Sequence, residues 1–526
     1  MYPLLDAKKA AIRSCVLELL DKPDMDKEAI ARLKVRVSES FGLDRVVKNA
    51  DLLEALPAEA PVFLRETLRT RMVRALSGVS VIAIMTKPSW CPHGTCVYCP
   101  GGPVTNSPKS YTGFEPAARR AAQNDFDSHR QVQARLRQLH AIGHSPQKCE
   151  VIIMGGTFNA QPLDYQDFFV KGMYDAFNGT ESATVMDAKE ENQTAKYRVI
   201  GLTVETKPDW ATPKHLDPIL DYGCTRIELG IQSLDEEVLR KTHRGHDLQA
   251  SVDATAYSKD AFLKVCYHMM PGLFSTPEKD IGYFRELFAN PAWRPDMLKI
   301  YPCLVVPNTG LYEMWKRGEF VPYNADQAAE VLSEAKRFIQ PYCRVMRIDR
   351  DIPTNVIAAG VEKSNLRELV KAKMDAKGVF CRCIRCREAG LAKRFGKTFD
   401  WNDLELKRID YEASGGKEIF LSFEANGLLL GFLRLRLPGS PWRPEITPDT
   451  AGVRELHVYG EQLTLHSKKD AVQHKSLGKS LMAEAERIVR DEWGCKKLLV
   501  ISGVGVREYY QKLGFTRDGV YMGKKI

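Results

Sequence analysis

The stretch "CPHGTCVYCPGG", residues 91–102, decides the fold, because it brings three thiols into one short loop that ends in a Pro-Gly-Gly turn. Four residues separate Cys91 from Cys96, and two separate Cys96 from Cys99. Three thiolates at these spacings can hold one face of an iron–sulfur cluster and leave one iron open. A tetrahedral zinc site normally takes four ligands, and His93 is available as the fourth, so the spacing alone leaves zinc as an alternative.

The sequence on either side of this loop predicts parallel βα units. Six β-rich runs, from "VSVIAIMT" to "MLKIYPCLVV", alternate with helical segments over residues 78–360. We therefore expect a partial (β/α) barrel, in which the chemistry gathers at the C-terminal ends of the strands. Because the cysteine loop follows the first run, its position favours an open iron–sulfur cluster over zinc. Later runs end in candidate site residues, each of which could alone be an ordinary turn residue: Gly155, Gly156, Thr157, Glu205 and Gln232.

The segments outside this barrel differ from it in composition and in predicted secondary structure. Residues 1–77 predict basic helices that end in "RETLRTRMVR", where Arg65 and Arg69 either contact phosphates or form an exposed basic face. Residues 361–400 predict a basic, cysteine-rich linker. Residues 401–526 predict a compact α+β domain, with a hairpin turn at the Asn-Gly of "FEANGLLLG".

Composition and charge narrow the class of protein. The chain start lacks the order of a signal peptide and no apolar run is long enough to span a bilayer. We therefore expect a cytoplasmic protein with no membrane contact and with no disulfides among its 13 cysteines. The net charge is +9, and residues 344–408 carry 16 lysines and arginines against 9 acidic residues. This concentration favours a polyanionic partner, with a solvated helix face as the alternative.

The cysteine loop, together with "MGGTF" after the second run, resembles the radical S-adenosylmethionine (SAM) enzymes. In that family the open iron of a 4Fe–4S cluster binds the methionine moiety of SAM, and reduction yields a 5′-deoxyadenosyl radical. The resemblance implies that the turn of Gly155, Gly156 and Thr157 admits the methionine amino group, and that Glu205 and Gln232 contact the ribose or methionine. The family's commoner first gap is three residues, so the gap of four narrows the choice of subfamily.

The segment "QHKSLGKSL", residues 473–481, opens a helix whose N-terminus could hold a pyrophosphate. It resembles the coenzyme A loop of the GNAT family of acetyltransferases, Gln-x-x-Gly-x-Gly/Ala, except that Ser476 replaces the first glycine. The resemblance implies that Tyr510, and with it Tyr509, lies near the thioester sulfur, although buried tyrosines often only pack. It also implies acetyl-CoA contacts from a strand and from this loop: Glu455, Leu456, His457, Val458, Gln473, Leu477, Gly478 and Lys479.

Ten motifs in order, from "CPHGTCVYCPGGP" to "ISGVGVREYYQKLGF", resemble the family of Elongator catalytic subunits in its stand-alone archaeal or bacterial form. That resemblance covers nearly all of the chain. It implies an enzyme that converts the wobble uridine of the tRNA anticodon loop to 5-carboxymethyluridine, with acetyl-CoA and the adenosyl radical as reagents. Lys148, in the barrel, would contact acetyl-CoA and so bridge two domains. The alternatives are a protein lysine acetyltransferase with a structural iron–sulfur domain, and a zinc-bound RNA-binding scaffold.

A second cluster, "CRCIRC", contains Cys381, Cys383 and Cys386 and predicts a structural zinc ion. The fourth ligand stays open between Cys303, Cys343 and a histidine. The resemblance implies that nearby arginines contact tRNA: Arg344, Arg347, Arg350, Arg382 and Arg385. It leaves open whether the chain acts as a homodimer or with Elongator-like partner subunits.

Overall fold

The computed structural model describes residues 2–57, 59–68, 78–363, 365–394, 399–459 and 476–526. Two predicted contact residues, Arg69 and Gln473, lie outside these ranges. Four N-terminal helices pack around a core of their own that includes Leu19, Leu33 and Leu52. They are α1 (Tyr2–Asp21), α2 (Lys27–Ser40), α3 (Asn49–Ala55) and α4 (Val62–Leu68). Over all these ranges, every helix is too short or too polar to cross a bilayer.

The first sheet contains seven parallel strands that lie in chain order. They are β1 (Ser80–Met85), β2 (Lys148–Met154), β3 (Arg198–Thr206), β4 (Cys224–Gln232), β5 (Lys264–Met269), β6 (Met297–Ile300) and β7 (Arg344–Arg347). The described helices of this region are α5 (Pro116–Ala122), α6 (Ser128–Ala141), α7 (Leu163–Asn178), α8 (Val185–Asn192), α9 (Pro213–Asp221), α10 (Glu236–Lys241), α11 (Leu248–Asp260), α12 (Pro277–Ala289), α13 (Gly310–Lys316) and α14 (Ala325–Ala335). Because β1 and β7 are the two edges, the sheet is a partial barrel, as the sequence predicts.

The six β-rich runs of the sequence are β1 to β6, and the seventh strand was not predicted. β7 is only four residues long and has an arginine at each end. It pairs with β6, with Met297 opposite Arg344. A segment so short and basic carries too weak a periodic signal to be recognised as a strand.

Strand β4 illustrates how the barrel places charge in its interior. Ile227, Leu229 and Ile231 pack into the main hydrophobic core. Arg226 and Glu228 alternate with them and so project from the opposite face of the sheet. The inner face of the barrel is therefore polar at this strand, although the strand is buried on both sides.

The linker leads through α15 (Leu366–Ala376), α16 (Ile384–Arg387) and α17 (Ala389–Arg394) into a second seven-stranded sheet. Its strand order is β13-β14-β12-β11-β10-β9-β8. The elements are β8 (Glu405–Ala413), β9 (Gly416–Ala425), β10 (Leu428–Leu437), β11 (Thr450–Val458), α18 (Leu477–Arg487), β12 (Lys497–Val500), α19 (Arg507–Gln511), β13 (Thr516–Asp518) and β14 (Tyr521–Lys525). Asn426 and Gly427 both have positive φ, 51° and 74°, which confirms the predicted hairpin turn between β9 and β10.

The two sheets share one continuous core and a seam of buried ions. Hydrophobic side chains of both, such as Leu298 and Phe432, belong to the same cluster. Across the seam, three fully buried arginines of the second sheet meet carboxylates from both sheets. The pairs are Arg436 with Asp260 and Glu418, Arg454 with Asp296 and Glu418, and Arg434 with Asp296 and Glu455.

Candidate active site

The three cysteines of the loop after β1 line a cleft with a cavity volume of about 120 Å³. Cys96 is buried, whereas Cys91 and Cys99 are half-buried. The backbone N–H of Ser110 donates to Cys99 Sγ at 3.2 Å, and Nη1 of Arg244 donates to Cys96 Sγ at 3.5 Å. Such donors stabilise thiolate sulfur, which is the form that binds metal.

The spacing of the sulfurs separates the two metal hypotheses for this loop. Around one zinc ion the ligand sulfurs lie about 3.8 Å apart, because each Zn–S bond is about 2.3 Å long and the geometry is tetrahedral. The Sγ atoms of Cys91, Cys96 and Cys99 do not all lie within 4.8 Å of one another, a criterion that two other triads in the described ranges meet. His93 Nε2 lies 3.2 Å from Cys96 Sγ and is thus a neighbour of that thiol. These three sulfurs therefore lack the close spacing of a single-ion site.

The turn after β2 lies close against the end of β1 and the cysteine loop, and two glycines permit that close approach. Gly155 has φ +128°, and a Cβ there would lie 2.4 Å from Oγ1 of Thr86. Gly156 has φ +96°, and a Cβ there would lie 2.9 Å from Lys109 Cβ and 3.7 Å from Cys91 Sγ. Thr157 follows, buried on the cleft wall. The bare backbone therefore borders the cysteine loop, where a side chain would fill the space.

Glu205 and Gln232, at the ends of β3 and β4, line the same cleft. The hydroxyl of Tyr111 donates to Glu205 Oε2 at 2.7 Å, and Lys299 Nζ lies 3.4 Å from Glu205 Oε1. Gln232 has φ +72°, and its carbonyl accepts from the N–H of Met270. The structure thus brings together all five strand-end residues that the sequence singled out.

A charged group deeper in the cleft was missed by sequence reasoning. Glu228 is fully buried, accepts a 2.8 Å hydrogen bond from His268 Nε2, and forms an ion pair with Lys299. Arg226 Nε lies 3.3 Å from the other carboxylate oxygen. The available signal was the alternation "RIEL" in β4, because two charged residues at period two in a buried strand must share one face.

The charges around Glu228 fix its ionisation. Burial alone raises the pKa of this carboxyl, but Lys299, the His268 hydrogen bond and Arg226 outweigh burial and hold the pKa well below its usual range. The reverse holds for Lys299, since Glu228 raises the pKa of the ammonium group despite burial. Glu228 is therefore a carboxylate at neutral pH and acts as a hydrogen-bond acceptor.

The second sheet opens beside the start of α18. β11 pairs with β12 only from Thr450 to Val453, and the residues that follow, up to Val458, extend beyond the end of β12. The edge of β11 after Val453 is therefore not paired with β12. A Cβ on Gly478 would lie 2.8 Å from the Tyr509 hydroxyl and 3.7 Å from Val458 Cγ2, so glycine lets the start of α18 approach Tyr509 and β11 closely.

The predicted loop residues surround this opening in different ways. Leu477 is buried beside Val458, whereas Lys479 is exposed. Ser476, the residue before α18, has φ +59°, the left-handed conformation that favours glycine. Tyr510 is buried in the core of the second sheet, and the ring of Tyr509 packs edge-on against it at 5.2 Å.

The β11 residues and Lys148 lie toward the boundary between the two sheets. Arg434 Nε donates to Glu455 Oε2 at 2.8 Å, so this side chain is committed to the seam. The His457 ring stacks on Phe432, and Leu456 packs against the core. Lys148 begins β2 opposite Arg198, whose guanidinium donates to Glu508 of α19, and burial lowers the Lys148 pKa.

The second cysteine cluster has the geometry of a small-ion site. The sulfurs of Cys381, Cys383 and Cys386 all lie within 4.8 Å of one another. Lys336 Nζ lies 3.6 Å from Cys381 Sγ and 3.8 Å from Cys386 Sγ. In the described ranges no fourth ligand joins the triad, although Cys343 is next to it and its carbonyl accepts from the N–H of Ile384.

The predicted tRNA-contact arginines fall into three groups. Arg347 and Arg350 line the cleft, and the Arg350 guanidinium lies 5.6 Å from the centre of the Tyr301 ring. Arg344 forms an ion pair with Glu388 at 2.5 Å and donates a hydrogen bond to the Tyr459 hydroxyl at 2.8 Å. Two arginines of the cysteine-rich linker and one of α4 complete the set: exposed Arg382, and half-buried Arg385 and Arg65.

A parallel partial barrel with a three-cysteine loop and a glycine turn, joined to a mixed sheet that opens at a helix N-terminus, defines a radical SAM enzyme fused to an acetyltransferase. Family models divide the chain in the same way. Residues 85–288 match the Radical SAM superfamily, residues 295–376 match the Radical SAM C-terminal domain, and residues 388–515 match the acetyltransferase (GNAT) family.

Relatives match over almost the whole chain. A tRNA uridine(34) acetyltransferase of Methanocaldococcus infernus is 47% identical, covering 98% of this chain and 100% of that protein. Human Elongator complex protein 3 is 40% identical, covering 98% of this chain and 96% of that protein. A solved structure of the M. infernus protein without its N-terminus matches with a TM-score of 0.77, covering 86% of this chain and 100% of that one.

The chain therefore belongs to the family of tRNA uridine(34) acetyltransferases and Elongator complex protein 3. Its radical SAM domain implies a 4Fe–4S cluster and SAM, and its GNAT domain implies acetyl-CoA. The three cysteines after β1 and the glycine turn after β2 meet at one cleft, which fits the first two groups. The edge of β11 that β12 leaves unpaired, next to the start of α18, fits the third.

Proposed function

We propose that this protein attaches a carboxymethyl group to C5 of the wobble uridine of tRNA, with acetyl-CoA as the carbon source. Support comes from relatives that carry the name tRNA uridine(34) acetyltransferase and align over nearly the whole chain. The observation that carries the proposal is the shared core of the two sheets, which fixes a cysteine-lined cleft and an acyl-donor opening in one molecule. An acyltransferase acting alone has no use for the cleft.

In this proposal Cys91, Cys96 and Cys99 hold the 4Fe–4S cluster, and the glycine turn, Glu205 and Gln232 hold SAM. When bound, these groups supply a 5′-deoxyadenosyl radical, a reagent strong enough to remove hydrogen from the acetyl methyl group. The protein keeps the groups in place: Tyr111 and Lys299 lock the Glu205 carboxylate in one orientation.

The cleft offers cationic side chains to an RNA substrate, five lysines and arginines beside four carboxylates. A wobble base is single-stranded, so it can enter the cleft without breaking a duplex. The proposed phosphate contacts are Arg347 and Arg350 in the cleft, with Arg382, Arg385 and Arg65 outside it. Arg344 is not proposed as a phosphate contact, because its guanidinium already contacts Glu388 and the Tyr459 hydroxyl.

The acyl donor is proposed to bind along the part of β11 that extends beyond β12. The backbone of Glu455 to Val458 would face the pantetheine chain, and the turn Leu477–Lys479 would face the pyrophosphate. Tyr509 and Tyr510 would flank the thioester, and Lys148 would approach from the barrel. The triad Cys381, Cys383 and Cys386 is proposed to hold a structural zinc ion.

The experiment that tests this function is an anaerobic incubation of the cluster-loaded protein with tRNA, SAM, acetyl-CoA and a reductant. Nucleoside mass spectrometry should detect 5-carboxymethyluridine at position 34. Cys96→Ala should abolish the product, while Cys495→Ala, a buried cysteine of the second sheet, should retain it.

Two outcomes would refute the proposal. Native protein with an intact cluster could yield no carboxymethyluridine, or the Cys96→Ala variant could yield as much as the native protein. Acetyl-lysine formation that needs no SAM would instead support the alternative of a protein acetyltransferase.

A further inference from the structure

The reaction proposed above leaves one proton to be removed. Joining the acetyl methyl carbon to uracil C5 breaks two C–H bonds and forms one C–C bond. One hydrogen ends on 5′-deoxyadenosine, and SAM is the overall two-electron oxidant, reduced to 5′-deoxyadenosine and methionine. The other hydrogen leaves C5 of the radical adduct as a proton; its bonding pair stays in the ring, and the unpaired electron of the adduct would return to the one-electron donor that reduced SAM. The cleft must therefore contain a base that can accept that proton.

Most acidic side chains of the cleft are already committed. Glu205 accepts from Tyr111 and faces Lys299. Asp351 is paired with Arg347 at 2.5 Å. Glu115 accepts the backbone N–H groups of Thr112 and Gly113. These donors already occupy oxygens of each carboxylate, so none of the three is a free proton acceptor facing the substrate.

The two histidines that line the cleft differ in what they contact. His93 lies against the Cys96 sulfur. His268 of β5 instead donates from Nε2 to Glu228, and its side chain is 14% exposed, on the cleft wall. In the part of the chain that the structure describes, Nδ1 of His268 has no hydrogen-bond partner. With a proton on Nε2, Nδ1 carries a free lone pair.

Glu228 sets this tautomer. It is buried and ionised, and the ion pair with Lys299 and the nearby Arg226 keep it so. A carboxylate that accepts from one imidazole nitrogen orients the ring and stabilises the positive charge that forms when the other nitrogen takes a proton. The ring of His268 also packs edge-on against Tyr301 at 5.5 Å, which restricts its rotation.

We propose that His268 is the base that accepts the C5 proton of the substrate uracil at Nδ1, and that Glu228 is the positioning residue that fixes its tautomer. This inference rests on the proposed function, since it assigns one step of that reaction. It separates the proton acceptor from the groups that hold SAM and acetyl-CoA.

The test compares His268→Gln with native protein, because glutamine keeps an N–H donor for Glu228 but provides no base. Carboxymethyluridine should fall about 100-fold or more, the usual contribution of a general base. Formation of 5′-deoxyadenosine should stay within about twofold, so that the ratio of 5′-deoxyadenosine to modified uridine rises. With tRNA deuterated at uracil C5, the variant should show a larger isotope effect on product formation than the native protein.

A further readout does not depend on catalysis, because tRNA affinity of the protein without SAM should be unchanged in His268→Gln. His140→Gln, in α6 and hydrogen-bonded to Tyr197, is the matched control and should behave as native protein. Added imidazole should restore product to His268→Ala, which guards against misfolding of the glutamine variant.

The inference is overturned if 5′-deoxyadenosine and product fall together, because His268 would then serve SAM or the acyl donor. It is also overturned if product is unchanged or imidazole gives no rescue. A native protein that forms no carboxymethyluridine refutes the proposed function itself, and that result is distinct from any difference between native and variant protein.

Discussion

Arg454 of β11 donates two hydrogen bonds to the carboxylate of Asp296, the residue before β6. They run from Nη1 to Oδ2 at 2.8 Å and from Nη2 to Oδ1 at 2.5 Å. Both side chains are fully buried. Arg434 and Lys259 approach the same carboxylate at 3.6 and 3.8 Å. One aspartate of the barrel thus balances three cations at the boundary between the sheets, and its pKa is held below its usual range by Arg454 despite burial.

Asp296→Asn should strongly destabilise the protein. The substitution leaves buried cations without their counter-charge, and breaking such a pair costs about 3–5 kcal/mol. Urea unfolding of native and variant protein measures the change. Asp410→Asn, which breaks an exposed pair with Arg408, should cost less than about 1 kcal/mol. A loss no greater than that of the control would contradict this account of the seam.

Asp280 should make stability fall as pH rises through the mildly acidic range. Burial raises its pKa from 3.8 to about 6, although Tyr323 and the Gly272 N–H donate to it. Between these values the folded state keeps a proton that the unfolded state releases, so the free energy of unfolding falls by up to about 3 kcal/mol as pH rises. Asp280→Asn should remove that slope in urea titrations from pH 4 to 7, whereas Asn at exposed Asp24 should not.

Gly155→Ala should abolish SAM binding. The new Cβ would lie 2.4 Å from Oγ1 of Thr86 at a φ of +128°, so the turn must move away from the cysteine loop. Equilibrium dialysis with labelled SAM and cluster-loaded protein measures the loss. Gly179→Ala also has positive φ, +81°, but meets no atom within 4 Å, so it should leave SAM binding intact. Equal affinities for the two variants would show that the turn after β2 does not contact SAM.

Ser476→Gly should raise the affinity for acetyl-CoA or the melting temperature of the second sheet. Serine at φ +59° carries about 1–2 kcal/mol of backbone strain that glycine avoids. Ser480→Gly, inside α18, is the matched control and should destabilise by about 1 kcal/mol. Calorimetry of both variants with acetyl-CoA measures the affinity and the melting temperature. A lower affinity of the Ser476→Gly variant for acetyl-CoA would mean that the serine hydroxyl contributes to binding.

Removing Cys383 should remove one zinc ion per chain. Three sulfurs within 4.8 Å of one another match the distances around a single tetrahedral ion. Metal analysis of Cys383→Ala should find no zinc, while Cys495→Ala should keep one equivalent. If native protein contains no zinc and is as stable as zinc-loaded protein, the three cysteines hold no structural metal and only pack against one another.

Much of the site could be predicted because local sequence determines it. The cysteine loop, the glycine turn after β2 and the strand-end residues Glu205 and Gln232 follow from short motifs at strand ends, and the structure brings them to one cleft. The hairpin at Asn426-Gly427 follows from turn chemistry alone.

The rest depends on contacts between distant segments. The pairing of His268 with Glu228 joins residues 40 positions apart, and no local pattern specifies which buried charge meets which. The sequence predicts Arg344 to be a basic surface residue. Its guanidinium instead forms an ion pair with Glu388 of the linker and a hydrogen bond with Tyr459 of the second sheet. The strand β7 that carries it was missed for the same reason, since its place is set by its neighbour β6 rather than by its own four residues.

The seam of buried ions also bears on how this enzyme could be divided or recombined. Arg434, Arg436 and Arg454 of the second sheet rely on Asp260 and Asp296 of the barrel. If the chain is cut near residue 400, each half retains charged groups in surfaces shaped to exclude water. A functional chimaera would therefore need to inherit the acetyltransferase sheet together with its matching aspartates, so the unit of exchange is the pair of sheets rather than either one.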